Sequence, residues 1–159
     1  MISTIQGKLI HKGNDFVTLV INGLGFQVFT PHEVCDSANI GETLFLYTQL
    51  IVREDSLTLF GFESETQKEY FNLFLGVNGI GTKTALSIIS TLSLETINRA
   101  VSTEQFDIFT KVPGIGKKTA QKIIIQLHDK IKTSIDFGTR DSVPDVDLEV
   151  LEALISLGY

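Results

Sequence analysis

The sequence predicts an α+β multidomain chain: an N-terminal β-barrel, an all-α domain with two helix-hairpin-helix motifs, then a linker and a partial C-terminal helical segment. Three observations carry this. Short β-runs separated by turn signals fill the first part of the chain. At Ser64 the apolar spacing changes from that of strands to that of helices. Within the helical part, one stretch recurs at a fixed offset of 35 residues.

The β-runs are Ile2 to Lys12, Phe16 to Ile21, Gly25 to Thr30, Thr43 to Arg53 and Leu57 to Phe62. Asn14-Asp15 and Asn22-Gly23 punctuate hairpins, and the Asn-Gly pair supplies the positive φ that a two-residue turn requires. Five strands spaced this way fit an OB-like barrel, and a generic sandwich equally well. Ser64-Glu65-Thr66-Gln67 is a capping box, after which Tyr70, Phe71, Phe74 and Leu75 recur at helical spacing. Further helix starts are expected at Ser93, with Glu95 in the first turn, and at Ser102, with Gln105 three residues on. Helices continue to about Lys132. From Thr133 to Asp147 the composition is that of a linker. Leu148, Val150, Leu151, Leu154, Ile155 and Leu157 then resume an amphipathic helix that cannot bury its apolar face alone. The expected divisions are a barrel over 1–63, a helical domain over 64–133, a linker over 134–146 and the first helix of a further domain over 147–159.

At 159 residues, with 43% hydrophobic and 20% charged content, the chain is of ordinary globular composition. No apolar run approaches the roughly 18 to 20 residues of a membrane span, and Met1 leads into Ile2-Ser3-Thr4 rather than a basic, then apolar, leader. A cytoplasmic protein without membrane contact is therefore expected. Cys35 has no partner for an internal disulfide, and His11, His32 and His128 are too scattered for metal-ligand spacing. No metal site and no cofactor are expected, and the sequence assigns Cys35 no function. A net charge of -6 argues at first against a nucleic-acid partner. Its distribution reverses the argument: residues 1–63 carry three Lys/Arg against seven Asp/Glu, 64–133 nine against six, and 134–159 one against six. The middle of the chain is basic between acidic flanks, which is compatible with DNA binding if the acidic surfaces face elsewhere.

The repeat lies in that basic region. Val77-Asn78-Gly79-Ile80-Gly81-Thr82-Lys83-Thr84-Ala85 matches Val112-Pro113-Gly114-Ile115-Gly116-Lys117-Lys118-Thr119-Ala120, and ten of sixteen positions are identical when the copies extend to Leu92 and Leu127. Each copy joins two helical segments, so each Gly-Ile-Gly is a short hairpin whose isoleucine packs inward and whose glycines accept backbone shapes other residues resist. Bare glycines leave N–H groups exposed at a helix N-terminus, where donors and dipole suit a phosphate oxygen, and Lys83, Lys117 and Lys118 add full charge beside it. In a plain helical repeat array the glycines would be C-caps, but that leaves a lysine two residues past the second glycine in both copies unexplained. A P-loop is excluded by spacing, since Lys111 stands where its first glycine belongs and Lys118 where its Ser/Thr belongs. The dinucleotide fingerprint fails too, because Thr84 and Thr119 occupy its third glycine slot. No ATP site is expected.

Paired hairpins of this kind are widespread in DNA repair proteins, glycosylases and nucleases included. A helix-hairpin-helix repair enzyme is thus the alternative, but it needs a Lys with a distant Asp, or carboxylates clustered around a metal. Glu54 and Asp55 have no third carboxylate near them in sequence, and no catalytic residue is expected. Val52-Arg53-Glu54-Asp55 followed by Leu59-Phe60-Gly61-Phe62 narrows the choice. With Met1-Ile2, Gly23-Leu24-Gly25-Phe26-Gln27-Val28, both hairpins, the acidic linker and Leu157-Gly158-Tyr159, this order resembles the RuvA family over nearly the whole chain.

The resemblance implies an OB-fold barrel, a tandem helix-hairpin-helix domain and a small third domain. It implies a homotetramer that holds four-way (Holliday) junction DNA open during recombination and repair, with the ATPase RuvB as motor and the resolvase RuvC as a further partner. The family's phosphate-binding hairpins fall on Gly79, Gly81, Lys83, Thr84, Gly114, Gly116, Lys117, Lys118, Thr119 and Lys122, and its acidic pin on Glu54 and Asp55. Alone, such a pair reads as solvated turn residues; four copies around a symmetry axis would repel phosphates where strands exchange. Family members continue past this Leu-Gly-Tyr segment, so impaired coupling to the motor is expected of a chain ending at Tyr159.

Overall fold

The computed structural model describes residues 2–138, with side chains described through residue 128. The first five strands are β1 (Thr4–Lys12), β2 (Phe16–Ile21), β3 (Leu24–Phe29), β4 (Thr43–Val52) and β5 (Leu57–Phe62), closed in the order β1-β2-β3-β5-β4 with β1 paired to β4. Among the described residues only β3 and β5 pair in parallel. This is the OB-like barrel rather than the sandwich that strand spacing left equally open. Asn22 at φ 48° and Gly23 at φ 86° form the β2–β3 turn, as two positive φ values in a two-residue hairpin require. Alternation puts Ile5, Leu9, Val17, Leu19, Val28, Leu46 and Leu59 inside. The barrel is narrow: a Cβ on Gly61 would stand 2.6 Å from Val28 Cγ1 and 2.9 Å from Leu46 Cδ1.

Between β3 and β4 the chain forms a short helix, α1 (His32–Ser37), that periodicity does not reveal. Its Val34 and Cys35 close the barrel core, and Lys12 Nζ donates to Cys35 O at 2.9 Å and to Ala38 O at 3.0 Å. Cys35 is thus a buried packing residue, 3.2 Å from Thr30 Oγ1 through its sulfur.

The helical part comprises α2 (Glu65–Leu75), α3 (Thr82–Thr91), α4 (Leu94–Ser102), a 3-10 segment Phe106–Lys111 and α5 (Lys117–Gly138). Ser64 caps α2 by accepting the Gln67 N–H at 3.2 Å, while Gln67 Oε1 reaches back to the Glu63 N–H at 3.1 Å. Ser93 caps α4 through the Thr96 N–H. The helix start expected at Ser102 is wrong. Ser102 is the last residue of α4 and its hydroxyl donates backwards to Arg99 O at 3.1 Å. The chain then reverses at Glu104, φ 55°, into the 3-10 segment, which Gln105 precedes without a side-chain cap. A serine near a helix end bonds local backbone in either direction, so the same residue serves as an N-cap or as a C-terminal tie. Helix α5 also outruns the expected boundary at 133/134 and extends through Gly138; Ile131 and Ile135 keep a four-residue spacing there. The rest of the expected linker and the helix expected at 147–159 lie outside the described residues.

Phe60 and Phe62 leave the barrel interior and join the helical core, with ring centroids 4.9 and 5.0 Å from that of Phe71 on α2. Lys68 lies 5.8 Å over the Tyr47 ring, and Asn72 donates to Gln49 Oε1 at 3.3 Å. Barrel and helices are joined by packing as well as by chain. Within the helical core the two repeat copies face each other: Phe74 and Phe109, equivalent at the offset of 35, meet edge to face at 6.4 Å and are both fully buried.

Candidate nucleic-acid interface

The two hairpins are built alike. In the first, the Val77 N–H donates to Phe74 O at 2.9 Å, Ile80 N–H to Val77 O at 3.0 Å, and Ala85 N–H to Gly81 O at 2.9 Å. In the second, Val112 donates to Phe109 O at 3.1 Å, Ile115 to Val112 O at 3.1 Å, and Ala120 to Gly116 O at 2.9 Å. Gly79 and Gly114 lie at φ +94° and +85°, which a side chain resists, and Ile80 and Ile115 are buried as expected.

Of the ten positions identical between the copies, the first copy's Val77, Ile80, Ala85, Ile88, Ile89 and Leu92 are buried, and so are their counterparts Val112, Ile115, Ala120, Ile123, Ile124 and Leu127. Packing accounts for them. Backbone shape accounts for Gly79 and Gly114. Two exposed identities then remain that neither reason covers, Gly81/Gly116 and Lys83/Lys118; the half-buried Thr84/Thr119 completes the set. Gly81 has the extended values φ -92° and ψ 176°, open to any residue, and a Cβ on Gly81 or Gly116 would meet nothing within 4 Å.

The helix ends are equally distinctive. Helices α1, α2 and α4 carry Glu33, Glu65 and Glu95 in their first turns, the sign that complements the helix dipole. Helices α3 and α5 carry no acid there and begin with Lys83 and with Lys117 and Lys118 instead. The cap of α3 is also bare, with no side chain accepting from its first-turn N–H groups. Lys83, Lys117, Lys118 and Lys122 are exposed, and among the described residues the single ion pair is Lys68–Glu65, elsewhere on α2. Lys118 and Lys122 share one face of α5 at four-residue spacing. The second hairpin is the more basic, since Thr82 and Ser87 stand at the positions of Lys117 and Lys122.

Glu54 and Asp55 sit on the exposed tip between β4 and β5, closed by the Arg53 N–H donating to Ser56 O at 2.9 Å. Ser56 Oγ donates to Asp55 Oδ1 at 3.4 Å, and the flanking pair Val52 and Leu57 is exposed. The pin is on the barrel and the hairpins on the helical part, but the fold draws their edges together. Arg53 and Lys83 line one crevice of about 350 Å³ between barrel and α3, floored by Phe29, Ile51, Phe60 and Leu86. Arg53 as a neighbour of the first hairpin is not readable from a lone cation beside two acids. Among the described residues, no three His, Cys, Asp or Glu side chains gather where they could hold a metal ion, and no helix is long and apolar enough to cross a membrane.

A closed five-stranded barrel joined to a tandem of helix-hairpin-helix units, each opening onto a basic helix N-terminus, defines the class. Residues 1–61 match the RuvA N terminal domain, and residues 71–129 match the SAM-like helix-hairpin-helix tandem. Relatives from Chloroflexus aggregans, Rickettsia canadensis and Clostridium botulinum are each 38% identical to this chain. The matches cover 100% of it and 83, 81 and 84% of the respective relatives, each named Holliday junction branch migration complex subunit RuvA. The chain belongs to the RuvA family.

Proposed function

We propose that this protein binds four-way (Holliday) junction DNA by its phosphates, as the non-motor subunit of a branch migration complex acting in recombination and repair. One observation carries the reading: the repeat keeps an exposed glycine and an exposed lysine at each hairpin that neither packing nor backbone strain requires. A first-turn lysine opposes its own helix dipole by about 0.3–1 kcal/mol, and a bare cap forgoes a further few tenths. Both choices make sense when the anion that completes the helix end is a phosphate from outside. Gly79, Gly81, Gly114 and Gly116 let the backbone approach; Lys83, Lys117, Lys118 and Lys122 neutralise charge; Thr84 and Thr119 flank the donors. Because phosphate contacts carry no base information, binding is independent of sequence.

Selection of the junction falls to Glu54 and Asp55. In a homotetramer their four tips meet at the crossover and oppose close approach of the strands, which costs affinity for duplex and favours the open four-way form. The chain is not catalytic by itself: RuvB supplies ATP hydrolysis, contacted through the C-terminal domain whose first helix is expected at 147–159, with coupling impaired in this form. Acting on chromosomal DNA places it in the cytoplasm. The deciding experiment is a gel shift with four-way, forked and linear DNA of one sequence composition, with the products checked for cleavage. Preference for the four-way form with intact strands is expected. Equal affinity for all three, or cleaved strands, would sink the reading.

A further inference from the structure

The two hairpins differ at one position in a way that needs an explanation. At the offset of 35, Asn78 corresponds to Pro113 and Gln126 to Thr91. Asn78 carries an N–H at the outer side of the first hairpin, where the chain has left α2 and not yet entered α3. Proline has none at the same place in the second hairpin, and its ring restricts φ. The Asn78 N–H donates to Gln126 Oε1 at 3.2 Å, across 48 residues of sequence, from the first hairpin to the third turn of α5. The corresponding Thr91 makes no such reach: its hydroxyl donates to Ser87 O of its own helix at 2.7 Å. One hairpin is set by a ring, the other by a tether.

We infer that Gln126 is a positioning residue for DNA binding, holding the first hairpin in register with the second. The inference rests on the phosphate-binding reading above. Helix α5 begins with the phosphate-facing end of the second hairpin at Lys117 and Lys118, and it also holds the loop of the first through Gln126. The tether therefore fixes the spacing between two phosphate sites on one rigid element, so both meet a duplex backbone at once without ordering the loop on contact. Only an acceptor is needed from Gln126.

The test uses the full chain and Gln126→Met, which keeps length and removes the acceptor. Duplex and junction binding should both weaken about fivefold, the worth of one net hydrogen bond. Adding Asn78→Pro removes the stranded N–H, gives the first hairpin the chemistry of the second, and should restore affinity; a loss arising from the packing of Gln126 elsewhere on α5 would not be rescued. Amide hydrogen exchange read by NMR provides a measure that does not depend on DNA: the Asn78 N–H should exchange faster in Gln126→Met, while Val77 and Ile80, bonded within the hairpin, keep their rates. Unchanged exchange at Asn78, or parental affinity in Gln126→Met, would overturn the tether. If the parent chain failed to bind DNA, the phosphate reading would fall and the exchange rates would still decide the tether.

Discussion

Replacing Gly81 and Gly116 with serine should make the protein more stable and a worse DNA binder. In the free chain nothing opposes the change. Gly81 has extended backbone values, and a Cβ at either position meets no atom within 4 Å. A serine there can do what Ser64 and Ser93 do for α2 and α4, accepting an N–H of the first turn. Serine over glycine at an N-cap is worth a few tenths of a kcal/mol, so two such caps should raise stability by about half a kcal/mol. The same hydroxyl occupies the donors a phosphate would use and stands in its path. A hydrogen bond to a charged group is worth about 1.5–3 kcal/mol, so each blocked hairpin should weaken binding roughly tenfold to a hundredfold. Thermal unfolding reads the first effect, and fluorescence anisotropy on duplex and four-way DNA reads the second. A double variant that is stabilised and binds with parental affinity would refute the argument, since it would show that bare caps are not where phosphate is held.

Three further outcomes follow from the same geometry. Gly79→Val or Gly114→Val forces a β-branched residue to φ near +90°, and should lower stability by about 1–3 kcal/mol while weakening binding to every DNA sequence alike; a sequence-selective loss would contradict phosphate recognition. Lys118→Ala should reduce the slope of log affinity against log salt by about one, and an unchanged slope would remove Lys118 from the contact set. Glu54→Gln with Asp55→Asn should leave duplex binding equal or tighter and lower the junction-to-duplex ratio, most at low salt; a ratio constant across a salt series would reduce the pair to a solvated turn.

What the sequence made legible were the features written in local patterns. The switch at Ser64, the caps at Ser64 and Ser93 and the Asn22-Gly23 turn each depend on residues within four positions of one another, and each stands where expected. The repeat is legible for a different reason: two copies of one motif in one chain cancel accident. The failures are of two physical kinds. Helix α1 has six residues, too few to display a period, and the 3-10 segment follows a reversal at a positive-φ glutamate that no pattern announces. The tie from Gln126 to Asn78, the Arg53–Lys83 crevice and the ring pair Phe74–Phe109 join residues distant in sequence, and only the fold brings them together. Strand spacing alone also left barrel and sandwich open; closing β1 onto β4 is a long-range event.

A net charge of -6 does not bar a protein from binding an anion locally. Net charge describes the far field, whereas a phosphate at a hairpin meets the groups within a Debye length, about 10 Å at moderate salt. There the sequence has broken its own rule. Three helices place an acid in the first turn, and the two that follow glycine hairpins place lysine, with no ion pair among the described residues to soften it. Local rules are broken where something other than the fold has to be satisfied. The acids are not absent: Glu33, Glu65 and Glu95 stand at the ends of other helices, Glu54 and Asp55 on the β4–β5 tip, and Asp15 in the crevice that Lys83 lines. On the proposed function, affinity and selectivity would be carried by opposite charges on different parts of the chain. A variant that alters one should leave the other measurable.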